Sequence, residues 1–271
     1  MKRTLNAVSG LAACALLISM PVAQAQDWPM GGQNLNNGRN QPVTSINAGN
    51  AASLQQKWVF PTSGDVSATP AVANGIVYFP DWGGNFYAVN ANTGHQIWAH
   101  QISDWTGISG DFARNDPAVY NGMVILGNQA GNLANWNGSQ YLHNYGASVM
   151  AVDANNGALK WITKVETFPA AMVTSSPVVY NGVVYVGVAS AEELTAADPT
   201  YPCCVSRGSV VALDASNGNV LWKTYTLPDN GGQTGGYSGG AVWGSNPVVD
   251  PKRNSLYVGT GNNYSVPVAD E

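Results

Sequence analysis

Four stretches of the chain repeat one order of apolar and polar positions. TPAVANGIVYF starts at Thr69, DPAVYNGMVILG at Asp116, SPVVYNGVVYVG at Ser176 and NPVVDPKRNSLYVGTG at Asn246. Each has a proline, a short alternating apolar run, a turn and a second apolar run, the period-two signature of paired strands. Asn-Gly at 74–75, 121–122 and 181–182 predicts two-residue hairpin turns, because both residues tolerate positive φ. A second module follows each of the first three: YAVNANTGHQIW at 87–98, MAVDANNGALKW at 150–161 and VALDASNGNVLW at 211–222. There a strand enters a glycine-closed turn, and a second strand leaves with Trp98, Trp161 or Trp222 at a fixed offset. Two hairpins per unit predict a four-stranded antiparallel sheet. One such sheet cannot bury both its faces, whereas sheets stacked radially can. The expected fold class is therefore all-β: a β-propeller with three complete blades and the opening of a fourth.

The blade prolines, Pro70, Pro117, Pro177 and Pro247, are unevenly spaced. The extra length lies in inserts at 103–115, 128–146, 190–208 and 228–245, which are expected to be loops that line a site on one face. Trp58, in LQQKWVF, reads as a blade's outgoing strand without its incoming hairpin. In a closed propeller such an N-terminal strand completes the last blade, so the sequence reads as the N-terminal half of a larger disc. A closed four-bladed form is the alternative.

Composition adds a compartment. Residues 1–25 read as an export signal: Lys2 and Arg3, the apolar LAACALLISMPVA, then Ala23-Gln24-Ala25 ahead of a propeller domain over 26–271. LAAC, around Cys14, also resembles a lipoprotein box. The expected destination is periplasmic or secreted, where disulfides persist. Charged residues are 10% of the chain, against roughly 25% in an average domain, which with abundant Gly and aromatics suits short strands and tight turns. A net charge of −5 argues against a nucleic-acid partner, and no later run is apolar enough for a membrane span. His95, His100 and His143 lack zinc-ligand spacing, and neither a nucleophile elbow, a phosphate loop nor a C-x-x-C-H haem motif occurs. Cys203 and Cys204 are adjacent, with Cα atoms about 3.8 Å apart, too close for an ordinary cross-link.

The Asp-x-x-x-Gly-x-x-x-Trp turns, the opening DWPMGGQNLNNGRN and the following NAASLQQKW resemble the quinoprotein alcohol dehydrogenases. YPCCVSRGSVVALDASNG and GGYSGGAVWGSNPVVDPKRNSLYVGTGNNYS look most like the polyvinyl alcohol dehydrogenase branch, which is cytochrome-linked. The resemblance implies an eight-bladed propeller that binds pyrroloquinoline quinone (PQQ) and calcium. It implies oxidation of secondary alcohol groups, including those of a hydroxylated polymer, with electrons passed to a cytochrome c. Cofactor contacts carried over are Arg114 in FARNDP, Thr174 in MVTSSP, the Cys203–Cys204 pair as a vicinal disulfide under one quinone face, and Trp243 over the other. Arg207 rivals Arg114, and methanol-type relatives carry the cysteine pair one blade earlier. A reduced or redox-labile cysteine pair and a blade-packing Trp243 are the plain alternatives.

Calcium takes roughly six to eight oxygen ligands. Glu192, with Glu193 as its neighbour, matches the family's calcium glutamate, and Asn262 its asparagine; both are expected to converge at the propeller axis. As ordinary residues they would be an exposed loop acid and a turn residue. The family's catalytic aspartate falls beyond Glu271, so no catalytic residue is expected within these residues. Two rival classes share the repeats: a non-catalytic scaffold of the outer-membrane assembly type, and a soluble sugar dehydrogenase.

Overall fold

The Asn-Gly pairs form the turns the pattern predicts. Asn74, Asn121 and Asn181 have φ of 52°, 48° and 48°, and the glycines after them 76°, 76° and 78°. The computed structural model describes residues 27–42, 44–130, 137, 145–244 and 246–270; the expected signal peptide, Cys14 and His143 lie outside the described residues.

Blade one is built from β1 (Ala71–Ala73), β2 (Ile76–Pro80), β3 (Asn85–Asn90) and β4 (Gln96–Gln101), hydrogen-bonded in that order. A short helix, α1 (Ile102–Thr106), opens the insert before blade two, where a plain loop was expected. Its cause is local: the Gln101 side chain caps the first turn, Asp104 returns a bond to the Gln101 amide, and Gly107 ends it in the left-handed region. Blade two is β5 (Ala118–Tyr120), β6 (Met123–Gly127), β7 (Ala147–Asp153) and β8 (Leu159–Glu166), again antiparallel and in chain order. Blade three has a first strand broken into β9 (Ala171–Met172) and β10 (Val178–Tyr180), both paired to β11 (Val183–Ser190). A one-turn helix, α2 (Glu192–Thr195), follows, then β12 (Ser209–Asp214) and β13 (Val220–Tyr225). The fourth blade repeats the broken start: β14 (Ser238–Gly239) pairs with β17 (Asn263–Ser265), and β15 (Val248–Asp250) with β16 (Ser255–Tyr257). The result is the open β-propeller arc that the repeats predict.

Burial follows from radial stacking. The middle strands are covered on both faces, as in β7, where all residues from Ala147 to Val152 are buried. The outer strands are mostly exposed and bury chiefly their tryptophan. Trp98 and Trp161 are 7% and 8% exposed, and each donates its indole N–H, at 3.0 Å, to a carbonyl in the next blade's turn: Ala154 and Ala215. The glycine of that turn has a steric reason, since a Cβ at Gly218 would lie 2.5 Å from Trp161. Trp58 docks on blade one in the same way, through Ala91 O at 3.0 Å, as an outgoing strand's tryptophan should. Trp222, facing a fourth blade that has only its first, broken hairpin, is 42% exposed.

The inner edge of the arc is also covered. Trp28 exchanges both backbone bonds with Val72, and Pro29 and Leu35 accept the amides of Val119 and Val249. These three valines hold one position in their blades, two residues after each proline. The N-terminal segment thereby satisfies edge groups that would otherwise be open for strand addition.

Candidate functional site

The break in the innermost strand decides where side chains meet. Three residues before the blade prolines stand Ser67, Arg114, Thr174 and Gly244, with Trp243 beside the last. In blade three this position falls between β9 and β10, where the ladder is interrupted and a side chain is released from strand packing. Arg114 and Thr174 therefore stand at one position of successive blades, ahead of β5 and β10, and Trp243 stands one residue earlier in the fourth blade.

The breaks are laced together. The Gln129 amide donates to Phe112 O at 2.9 Å and its side-chain Nε2 to Met172 Sδ at 3.4 Å. Asn115 Nδ2 donates to Val173 O at 2.8 Å, and the Val173 amide to Asn128 O at 2.9 Å. Met172 then joins Ala189, Ala191 and Ala241 in an apolar cluster against which Trp243 packs. A continuous path runs from the Arg114 stretch through Gln129 and Met172 to Trp243.

Along this path polar atoms are buried without a partner among the described residues: Arg114 Nε, Gln129 Oε1 and Thr174 Oγ1. Thr174 and Gln129 are 3% and 4% exposed. Buried polar atoms are nearly always hydrogen-bonded, so an unpaired set points to a ligand or water that pairs them. Arg114 is half-buried, and its guanidinium lies 5.9 Å from the Trp82 ring centre. Trp82, still 46% exposed, is fixed by an indole bond to Ser67 Oγ at 2.8 Å and by Phe112, ring centres 5.3 Å apart.

Beneath Trp82, Asp81 is fully buried. Its carboxylate accepts from the amides of Ser63, Gly64 and Asn85 and from the hydroxyls of Ser63 and Tyr87, at 2.9 to 3.1 Å. Burial raises its pKa, but these bonds outweigh burial and hold it below the ordinary value. Asp111, buried beside Phe112, goes the other way. Burial dominates there and lifts its carboxyl above the usual range despite a 2.7 Å bond from Asn128 Nδ2.

The cysteine loop is anchored separately. Cys204 is fully buried and Cys203 partly so, with their sulfurs within bonding reach. Glu192 is fully buried too, not a loop acid in solvent. Its Oε1 accepts the Tyr201 hydroxyl at 2.6 Å and the Val205 amide at 2.8 Å, and its Oε2 the Ser206 amide at 2.7 Å. Asn262, by contrast, is exposed, and its Nδ2 donates to Asn263 O at 3.1 Å. Tyr264 links this blade to the end of β11 through Ser190 O at 3.3 Å. Burial, then the charges of Glu193 and Glu192, pushes its hydroxyl pKa up.

The structure thus groups Arg114, Thr174 and Trp243 along one path, and sets Glu192 with the cysteine pair in a second cluster. Arg207 sits apart, stacked 4.1 Å over Tyr225 and paired with Asp229 at 2.8 Å. Trp82 and Gln129 are additions that the motifs did not single out. Both stand seven residues after a turn glycine, Gly75 or Gly122, so aligning strand ends across the repeats would find them.

A PQQ molecule, flat with three carboxylates and carbonyl oxygens, fits the first cluster, where an arginine N–H and a threonine hydroxyl await partners on the path that ends at the Trp243 indole. Bidentate calcium does not fit Glu192 in the second cluster as it stands. A carboxylate has about four lone-pair sites, and three of Glu192's are taken by donors. Among the described residues no group of three or more His, Cys, Asp or Glu side chains is gathered for a metal. No step below is routed through a cation.

The PQQ_2 family model, described as outer membrane protein assembly factor BamB, matches residues 39–271. The chain is 31% identical over 247 residues to a polyvinylalcohol dehydrogenase from Pseudomonas sp, covering 88% of this chain and 36% of that protein. To the polyvinylalcohol dehydrogenase of Sphingopyxis sp. (strain 113P3) it is 32% identical over 250 residues, covering 89% and 36%. The solved quinohemoprotein alcohol dehydrogenase ADHIIG of Pseudomonas putida HK5 superposes with a TM-score of 0.68 at 26% identity, over 88% of this chain and 34% of that one. The chain spans about a third of the length of the relatives it matches. With most of its length matched by that model and its blades superposing on such an enzyme, the chain belongs to the PQQ_2 family, within the quinoprotein alcohol dehydrogenase superfamily.

Proposed function

We propose that the protein, in its full length, is an exported PQQ-dependent alcohol dehydrogenase that oxidises secondary alcohol groups, those of polyvinyl alcohol among them, and passes electrons to a cytochrome c. The observation that carries this reading is the set of unpartnered buried atoms: Arg114 Nε and Thr174 Oγ1, three residues before successive blade prolines, with Gln129 Oε1 between them on the path to Trp243. Bound PQQ supplies the two-electron acceptor.

The chain's own residues do the holding. Arg114 offers a charged donor to a carboxylate or carbonyl oxygen, and Trp82 and Phe112 limit where its guanidinium can go. Thr174 offers a neutral donor from the neighbouring blade. Trp243 provides a flat apolar face and, packed on Met172 and Ala241, keeps water from it. The Cys203–Cys204 pair, as a disulfide, is assigned to the opposite face. Asn262 keeps its family role as an oxygen donor to calcium in this reading. The group that takes the alcohol's proton is not assigned to any of these residues.

The test uses the full-length protein with PQQ and Ca²⁺ added. Expected are saturable quinone uptake, read by quenching of tryptophan fluorescence, and oxidation of secondary alcohols and polyvinyl alcohol with a cytochrome c or artificial acceptor. A protein that takes up no quinone and oxidises no alcohol overturns the reading. The family model's description favours one alternative, a non-catalytic assembly scaffold. In that case substitutions at Arg114 and Trp243 would leave the protein's binding behaviour unchanged.

A further inference from the structure

We propose that Glu192 is a positioning residue: its carboxylate is the clasp that shapes the Cys203–Cys204 loop, and it is not a metal ligand. Its two oxygens receive three donors, and two of these are the backbone amides of Val205 and Ser206, the residues directly after the cysteine pair. The third, the Tyr201 hydroxyl, lies just before the pair. The cysteines are therefore held between two contacts to one carboxylate.

Both sides of the clasp are fixed. Glu192 begins α2 at the end of β11, and its own amide donates to Ser190 Oγ at 3.0 Å. Across the loop, Asn230 Nδ2 donates to Val205 O at 2.8 Å and to Tyr237 O at 2.9 Å. No cation contacts the carboxylate among the described residues. The ion pair of the nearby Arg207 goes to Asp229. Charge-assisted bonds from two amides and a phenol are what make this buried carboxylate tolerable, and such bonds are about twice as strong as neutral ones.

A bidentate calcium would need the same lone pairs. To admit it, the Val205 and Ser206 amides would have to turn away, which dismantles the loop that carries the cysteines. Because β11 pairs with β9, which leads into Thr174, the clasp also sets where the sulfur pair stands relative to the first cluster. The inference stands without the proposed function, since it concerns only how the loop is built.

The test is made on the full-length protein in EDTA, with no quinone or alcohol. One readout is hydrogen exchange of the Val205 and Ser206 amides. The other is the rate at which dithiothreitol reduces the Cys203–Cys204 bond, or, if the thiols are free, their alkylation rate, mapped by peptide mass. Glu192→Gln removes one acceptor oxygen and should raise both rates about tenfold, the loss of one charge-assisted bond. Tyr201→Phe leaves the carboxylate and its amide bonds intact and should raise them about two- to fivefold. Calcium added to the parent should change neither. Should Glu192→Gln not fold, Tyr201→Phe alone decides. Parent-like rates in the variants that fold, or amide protection in the parent that depends on added calcium, overturn the proposal.

Discussion

Asp81 and Glu192, in blades one and three, have both carboxylate oxygens met by donors from the segments around them. Arg114, Gln129 and Thr174, in blades two and three, present buried polar atoms that no described group meets. Both sets include side chains at most 4% exposed, so burial alone does not separate them. What separates them is where the hydrogen bonds go. A loop that folds back on a carboxylate completes itself and is scaffold. A side chain released at a broken strand, with nothing to bond, is a place for something else. The difference predicts opposite responses to substitution.

Removing a completed carboxylate should have the largest effect. Asp81→Ala strands the amides of Ser63, Gly64 and Asn85 and the Tyr87 hydroxyl, and should cost about 3 kcal/mol or more. The denaturation midpoint of the full-length protein should fall with the denaturant slope unchanged. A parent-like midpoint would show that Asp81 is not structural. Arg114→Ala reverses the pattern. It leaves the midpoint within about 0.5 kcal/mol of the parent, as for a residue outside the core. It should weaken PQQ binding by about 10- to 150-fold, the worth of one charged hydrogen bond. Unaltered quinone affinity would remove Arg114 from the site. Thr174→Val is a smaller version. With no partner for Oγ1, the valine should be neutral or stabilising by up to about 1 kcal/mol, while PQQ binding weakens by about fivefold. A destabilised Thr174→Val protein would mean that the hydroxyl is already bonded and belongs with the scaffold.

The repeats were legible because each blade restates them. Proline, Asn-Gly and the turn glycine with its tryptophan are each forced by a backbone angle or a close contact that recurs. Arg114, Thr174 and Trp243 could be picked because the short stretches that carry them, FARNDP, MVTSSP and GGAVWGS, resemble the family's motifs. Gln129 and Trp82 were missed because their signal is not a residue type but a shared offset from a turn. The company of Glu192 was illegible for a different reason. Two of its partners are main-chain amides 13 and 14 residues on, and a backbone N–H leaves no letter in the sequence. Glu192 and Asn262 read alike as oxygen donors at strand ends. Only folding shows one enclosed and the other exposed.

The finest test of the comparison is its pH dependence, because two buried aspartates of the same region are displaced in opposite directions. The bonds to Asp81 hold its folded pKa below the unfolded value of about 3.9, so the fold favours its charged form. Its stabilisation is present above that value and is lost as pH falls through the lowered folded pKa. Burial raises the folded pKa of Asp111, so the fold favours its neutral form. Ionised Asp111 opposes folding near neutrality, and this opposition fades as pH falls through its raised pKa toward about 3.9. Each pH unit of displacement is worth about 1.4 kcal/mol. In urea titrations of the full-length protein from pH 3 to 7, Asp81→Asn should lose stability relative to the parent as pH rises, and most of that loss should develop below about pH 4. Asp111→Asn should gain relative to the parent as pH rises above about 4 and then level off. Parallel curves for the two variants would mean that the bonds from Asn128 and the Phe112 amide outweigh burial at Asp111, as the bonds to Asp81 do, and that the two carboxyls are not displaced in opposite directions.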